Sequence, residues 1–124
     1  MKLKERIFAF TALGKELREL INSGNDSLYD IINCQHLKNA WFTPENVRFA
    51  LSSIAESLTE ESIEKWLSKY ELSNINKPKT IGIIMAGNIP LVGFHDFLCS
   101  LITGNRIIVK TSSKDSDLIV YIAK

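Results

Sequence analysis

Two short segments hold the residues whose types and spacing could do chemistry: Met85-Ala86-Gly87-Asn88-Ile89-Pro90 and Val109-Lys110-Thr111-Ser112-Ser113-Lys114. In the first, Gly87 permits an unusual backbone angle and Pro90 presets the first turn of a helix. Asn88 between them can point its amide into a crevice near a positive helix end. An amide so placed can donate to an oxyanion developing on a carbonyl. The commoner role of an asparagine in such a segment is simply to make a turn, and local pattern leaves both roles open. Gly87 and Gly93 do not fit the G-x-G-x-x-G spacing, so no first-turn pyrophosphate site follows.

The second segment invites a different chemistry. In nicotinamide-binding folds an acidic residue at the end of the second strand accepts hydrogen bonds from the adenosine ribose. Here Lys110 stands in that place, followed by Ser112, Ser113 and Lys114. Ammonium groups and hydroxyls suit a 2′-phosphate. A solvated basic turn with a serine cap for a last helix accounts for the same residues equally well.

Other chemistry-bearing side chains are poorly placed. His95 and Asp96 are adjacent on a helix and point ~100° apart, so they form no dyad with each other. Cys99 between Leu98 and Leu101 has the setting of an inert buried thiol. Cys34 and His36 have no constellation around them. The two cysteines have neither zinc spacing nor a disulfide framework, which fits reduced thiols in a cytoplasmic protein.

The elements that must position these segments fall into two halves. Leu3, Ile7, Phe10, Leu13, Leu17 and Leu20 make one stripe on a long helix that ends near Gly24. Asp26 or Ser27 can cap a second helix through Tyr29, Ile32 and Leu37. Thr43 caps a third, with Pro44 at its first position and Val47, Ala50, Leu51, Ile54 and Leu58 inward. Thr59-Glu60-Glu61 opens a fourth, carrying Ile63, Trp66, Leu67 and Tyr70.

A polar connection from Ser73 to Pro78 then separates a helical segment, 1–76, from the start of an α/β domain, 77–124. Thr80 to Ala86 is an apolar, β-branched run of the kind covered on both faces. Pro90 opens an apolar helix that Gly104-Asn105 closes, and Arg106 to Lys110 is a second buried strand. Strand, crossover helix and strand imply a parallel pair. Both chemical segments therefore fall at the carboxyl ends of strands, where open α/β sheets bind ligands. Two strands alone do not make a stable sheet, so the expectation is an unfinished domain that self-associates as a homo-oligomer or through its open edges.

Composition narrows the classes. Fifteen basic against fourteen acidic residues leave a net charge of +1, which offers no footprint for nucleic acid. No apolar run approaches the ~20 residues of a membrane span, and the start lacks the apolar core of a signal peptide.

The stretch Ala86-Gly87-Asn88-Ile89-Pro90-Leu91-Val92-Gly93-Phe94-His95-Asp96-Phe97-Leu98, followed by Gly104-Asn105-Arg106-Ile107-Ile108-Val109-Lys110, strongly resembles the acyl-CoA reductase (LuxC-like) family of the aldehyde dehydrogenase superfamily. Trp41-Phe42-Thr43-Pro44-Glu45-Asn46-Val47 resembles the N-terminal part of that family. The resemblance implies an α/β fold: a helical N-terminal segment, then the first βαβ unit of an incomplete, aldehyde dehydrogenase-like Rossmann-type parallel sheet. It implies NADPH-dependent reduction of a fatty acyl-CoA to an aldehyde, through a cysteine thioester whose cysteine lies beyond Lys124 in the family. By the same likeness Asn88 matches the oxyanion-hole asparagine and Lys110 the lysine that contacts the adenosine ribose. Thr111 replaces the usual proline, and Ser113 falls where many NAD-preferring members have glutamate. Ser112 and Ser113 thus join Lys110 as cofactor-binding candidates, and the chain alone is expected to be inactive. The other expectations are a non-catalytic α/β interaction module and a nucleotide-binding subunit completed by a partner chain.

Overall fold

The computed structural model describes residues 1–24, 26–72 and 77–124, and of Asp26 only the backbone. Four helices come first: α1 (Leu3–Ser23), α2 (Asp26–Cys34), α3 (Pro44–Ser57) and α4 (Glu60–Leu67), with a 3-10 turn (Gln35–Leu37) after α2. The α/β part follows as β1 (Thr80–Ile84), α5 (Phe94–Ile102), β2 (Arg106–Lys110) and α6 (Asp117–Ile122). The protein is helical with a two-stranded parallel sheet, an incomplete α/β unit.

Local chemistry explains most boundaries. Gly24 ends α1 at φ 67°, a left-handed conformation that glycine adopts without a Cβ penalty. Thr43 caps α3 by accepting the Asn46 N–H at 3.2 Å, and Thr59 caps α4 by accepting the Ser62 N–H at 3.2 Å. At Gly104, φ 88° turns the chain from α5 into β2.

Several expected boundaries move. Helix α2 begins at Asp26 itself, so Ser27 lies in its first turn rather than at its cap. Its last expected residue, Leu37, belongs to the 3-10 turn. Tyr70 lies beyond α4 and is exposed. Most of the polar connection, residues 73–76, lies outside the described residues.

Buried side chains from both parts form one apolar cluster. Helix α1 packs along α3, and a Cβ on Gly14 would stand 2.6 Å from the Leu58 carbonyl oxygen, so a glycine lets the two helices close. Arg6 of α1 donates to the Ile102 carbonyl at 2.8 Å, tying the helical part to the end of α5. On the other side Lys38 pairs with Asp117 at 2.6 Å and joins the end of the 3-10 turn to α6.

The parallel register pairs Thr80 with Arg106, Gly82 with Ile108 and Ile84 with Lys110 on one face, and Ile81 with Ile107 and Ile83 with Val109 on the other. The second face packs on the core, below α5. The first is open: Ile84 is 84% exposed and Ile108 68% exposed. The expectation of strands covered on both faces is therefore corrected. The apolar run that signalled a doubly covered sheet is present, but among the described residues nothing lies on that side.

Candidate functional site

The connection from β1 to α5 departs from its expected form. Pro90 opens a turn rather than a helix, and the first helical residue is Phe94. The reason lies at Leu91, whose φ of 60° cannot continue a right-handed helix. Helix α5 thus starts six residues after Asn88, rather than at Pro90 as expected from sequence. Gly87 also has an ordinary φ; positive values occur only at Gly24, Leu91 and Gly104 among the described residues. Glycine is needed at 87 for space, since an added Cβ would collide with Ser112 Oγ and stand 2.8 Å from Ser112 Cβ.

That close approach brings the two chemical segments together. Past the carboxyl ends of β1 and β2 lies an open cleft of about 440 Å³ lined by Asn39, Trp41, Gly87, Asn88, Ser112 and Lys114. Asn88 is exposed and makes no side-chain hydrogen bond among the described residues, so its amide is free to donate. Ser112 Oγ accepts the Lys114 N–H at 3.2 Å, which folds the turn after β2 and leaves the hydroxyl proton available.

The other sequence candidates are placed differently. Lys110 pairs in register with Ile84 and so stands on the open face of the sheet, outside the cleft lining. Ser113 is exposed at the tip of the turn. The cation that lines the cleft is Lys114. The Lys114 ammonium and the Ser112 hydroxyl, both at the cleft, are donors that suit a phosphate.

Sequence reasoning missed three contributors. Asn39 donates from Nδ2 to the Gly87 carbonyl at 2.8 Å, and its Oδ1 accepts the Trp41 N–H at 3.0 Å. Trp41, in turn, has its carbonyl held by Asn46 Nδ2 at 2.9 Å, while its side chain is 78% exposed at the cleft. Asp115 is buried, and its Oδ2 accepts the Leu91 N–H at 2.7 Å. Its Oδ1 is buried without a hydrogen-bond partner. No spacing rule links residues 48 or 24 positions apart, so none of these bonds could be read locally.

His95 and Cys99, one helical turn apart, approach at 3.5 Å, and Trp66 lies beside the imidazole with ring centroids 6.1 Å apart. Burial and then the Asp96 carboxylate push the Cys99 thiol up from its ordinary value, the opposite of nucleophile activation. The described residues contain no group of three or more His, Cys, Asp or Glu side chains that could hold a metal ion. No described helix is long and apolar enough to cross a membrane.

A parallel strand pair whose following turns meet at one polar cleft has the layout of the end of an open α/β sheet at which ligands generally bind. The chain belongs to the acyl-CoA reductase (LuxC) family, whose model matches residues 19–124. It is also similar to the long-chain acyl-protein thioester reductase of Aliivibrio fischeri, 35% identical over 54 residues. That match covers 43% of this chain and 11% of the relative. No solved structure matches the chain.

Proposed function

We propose that residues 1–124 are the N-terminal part of an NADPH-dependent reductase that converts a fatty acyl-CoA to a fatty aldehyde. Supporting this reading is one observation: in a chain of this family, the cleft past the parallel strands brings a free asparagine amide beside the Ser112 hydroxyl and the Lys114 ammonium, groups that suit a phosphate. The division at 76/77 belongs to the same proposal, with the helical part backing the start of a nucleotide-binding domain.

In this reading Asn88 donates its amide to the thioester oxygen as negative charge develops on it. The attacking cysteine comes from outside this chain, since Cys99 holds its proton and Cys34 lies on α2. An oxyanion donor of this type contributes ~3–4 kcal/mol, about 10²–10³ in turnover. Lys110, Ser112 and Ser113 would hold the cofactor's adenosine ribose and 2′-phosphate, with Lys114 beside Ser112 at the cleft. When bound, the dinucleotide supplies the hydride that reduces the acyl group. The protein is cytoplasmic in this proposal, self-associates, and has no nucleic-acid partner.

Turnover of an acyl-CoA with NADPH by the intact protein tests the proposal directly. The expected result is aldehyde formation, lost about 10²–10³-fold in Asn88→Ala with KM little changed, and no turnover by residues 1–124 alone. Undiminished turnover in Asn88→Ala removes the oxyanion role. A KM for NADPH that is unchanged in Lys110→Met removes the cofactor role.

The exposed Ile84 and Ile108 also favour a second reading, a nucleotide-binding subunit completed by a partner chain. The intact mass of the protein from its source cells separates the two. A product several times longer than this chain supports the self-contained reductase, and one ending near Lys124 supports the partner-completed subunit.

A further inference from the structure

An oxyanion donor is worth its full effect only when it is already aimed before charge develops. Asn88 lies in a stretch with little backbone reason to stay aimed. β1 ends at Ile84 and α5 begins at Phe94. Met85 still continues the ladder, its N–H donating to the Lys110 carbonyl at 3.0 Å. Beyond it the backbone bonds are local: Val92 N–H to Ile89 O within the connection, and Phe94 N–H to Leu91 O where it enters α5.

Among the described residues, the hydrogen bonds that tie residues 86–91 to parts of the chain outside this connection and the start of α5 come from two side chains. Asn39 holds the Gly87 carbonyl at 2.8 Å, immediately before Asn88. Asp115 holds the Leu91 N–H at 2.7 Å, three residues after it. Each of the two is itself fixed. Asn39 is braced by the Trp41 N–H, and Asp115 is buried and donates its own N–H to the Ser112 carbonyl at 3.1 Å.

Leu91 supports the same conclusion from backbone geometry. A leucine at φ 60° is strained by roughly 1–2 kcal/mol relative to the right-handed conformation. Such strain persists where the surroundings over-determine the conformation, and here the buried Leu91 side chain and the Asp115 bond do so.

We propose that Asn39 and Asp115 are positioning residues for Asn88, clamping its turn from the helical segment on one side and from the β2–α6 connection on the other. The proposal rests on the oxyanion reading of Asn88 and adds to it. The helical segment then sets the geometry of the site, since it supplies one of the two clamps.

The test uses the intact protein, with two readouts. Amide hydrogen exchange at Leu91, Val92 and Phe94, the hydrogen-bonded amides of this turn, reports the clamp irrespective of chemistry. Steady-state acyl-CoA reduction reports its consequence. Asn39→Ala and Asp115→Ala are expected to speed exchange at those amides and to lower kcat about 10- to 100-fold with KM nearly constant. Neither should lower kcat further in an Asn88→Ala background, because residues acting as a unit are not additive. Two conservative variants guard against simple misfolding. Asn39→Asp keeps the acceptor for Trp41 and loses the donor to Gly87, so it should behave like Asn39→Ala. Asp115→Asn keeps an acceptor for Leu91, so it should behave like the parent.

Unchanged exchange in both alanine variants overturns the clamp while leaving Asn88 its role. A parent-like Asn39→Asp, or an equal loss of kcat with and without Asn88, also overturns it. Full turnover in Asn88→Ala overturns the oxyanion reading and the catalytic consequence together, and the exchange result then decides the clamp alone.

Discussion

The carboxylate of Asp115 accepts the backbone N–H of Leu91 at 2.7 Å inside the protein, across 24 residues of chain. This bond joins the turn after β2 to the turn after β1. It also leaves a carboxyl where ionisation is unfavourable. Burial pushes Asp115 up from 3.8 to about 6; the Leu91 N–H opposes this, and Asp117 adds to it. Between those values the folded chain keeps a proton that the unfolded chain releases. Stability from this group is therefore fully present below about 4 and falls as pH rises to about 6. The difference corresponds to at most about 3 kcal/mol. Asp115→Asn keeps the acceptor and removes the charge. Urea unfolding should show the variant gaining on the parent between pH 4 and pH 6 and staying ahead at pH 7. A constant difference across that range would sink the assignment.

Gly87 and Ser112 are matched in the same way. A Cβ at 87 would meet both Ser112 Oγ and Ser112 Cβ, and the second contact, at 2.8 Å, cannot be relieved by rotating the hydroxyl. Gly87→Ala should therefore destabilise by about 1–3 kcal/mol, the usual range for overpacking. Ser112→Ala should not rescue it, whereas Ser112→Gly should recover most of the loss. Thermal melts of the two double variants check this, and equal rescue by both would show that the hydroxyl alone was in the way.

A sharper case of the same physics is Gly14. Its added Cβ would face the Leu58 backbone oxygen and Cβ, both at 2.6 Å, where α1 crosses α3. Backbone yields less readily than a side chain, so Gly14→Ala is expected to destabilise at least as much as Gly87→Ala. An alanine variant with the parent's melting temperature would mean that α1 can slide along α3.

Which features were legible follows from the range of the interactions that make them. Thr43, Gly24 and Gly104 act on their immediate neighbours, so caps and ends could be read directly. The parallel pairing followed from strand, helix and strand. Leu91 could not be read, because the left-handed conformation is rare for leucine and depends on a carboxylate far along the chain. Pro90 misled for that reason: its fixed φ suits a first helical turn, but Leu91 cancels the helix it would start. Asp115 sits in a polar run, Ser112-Ser113-Lys114-Asp115-Ser116, that reads as solvated, and only the fold buries it. The cleft was half legible: Asn88 and Ser112 were named from their strands, while Asn39 and Trp41 arrive from the helical part.

The open sheet face gives the last prediction. Ile84 and Ile108 are exposed on it, beside Gly82, and among the described residues no further strand pairs with the outer edge of either strand. Exposed isoleucines on an open sheet with unpaired edges are a template for association, even with Arg106 and Lys110 at the ends of that face. The 124-residue chain in isolation should therefore self-associate, with a molar mass by light scattering that rises with concentration. Ile84→Lys or Ile108→Lys adds a further positive charge to that face, beside Arg106 and Lys110, without touching the core, where Ile83 and Val109 point. Each should shift the chain toward monomer and change its unfolding free energy by no more than about 0.5 kcal/mol, as surface substitutions do. Retention of the parent's association by the double lysine variant would move the contact elsewhere, to exposed aromatics such as Phe8 and Phe49 on α1 and α3. A parent that is monomeric at every concentration would show that this face does not drive self-association.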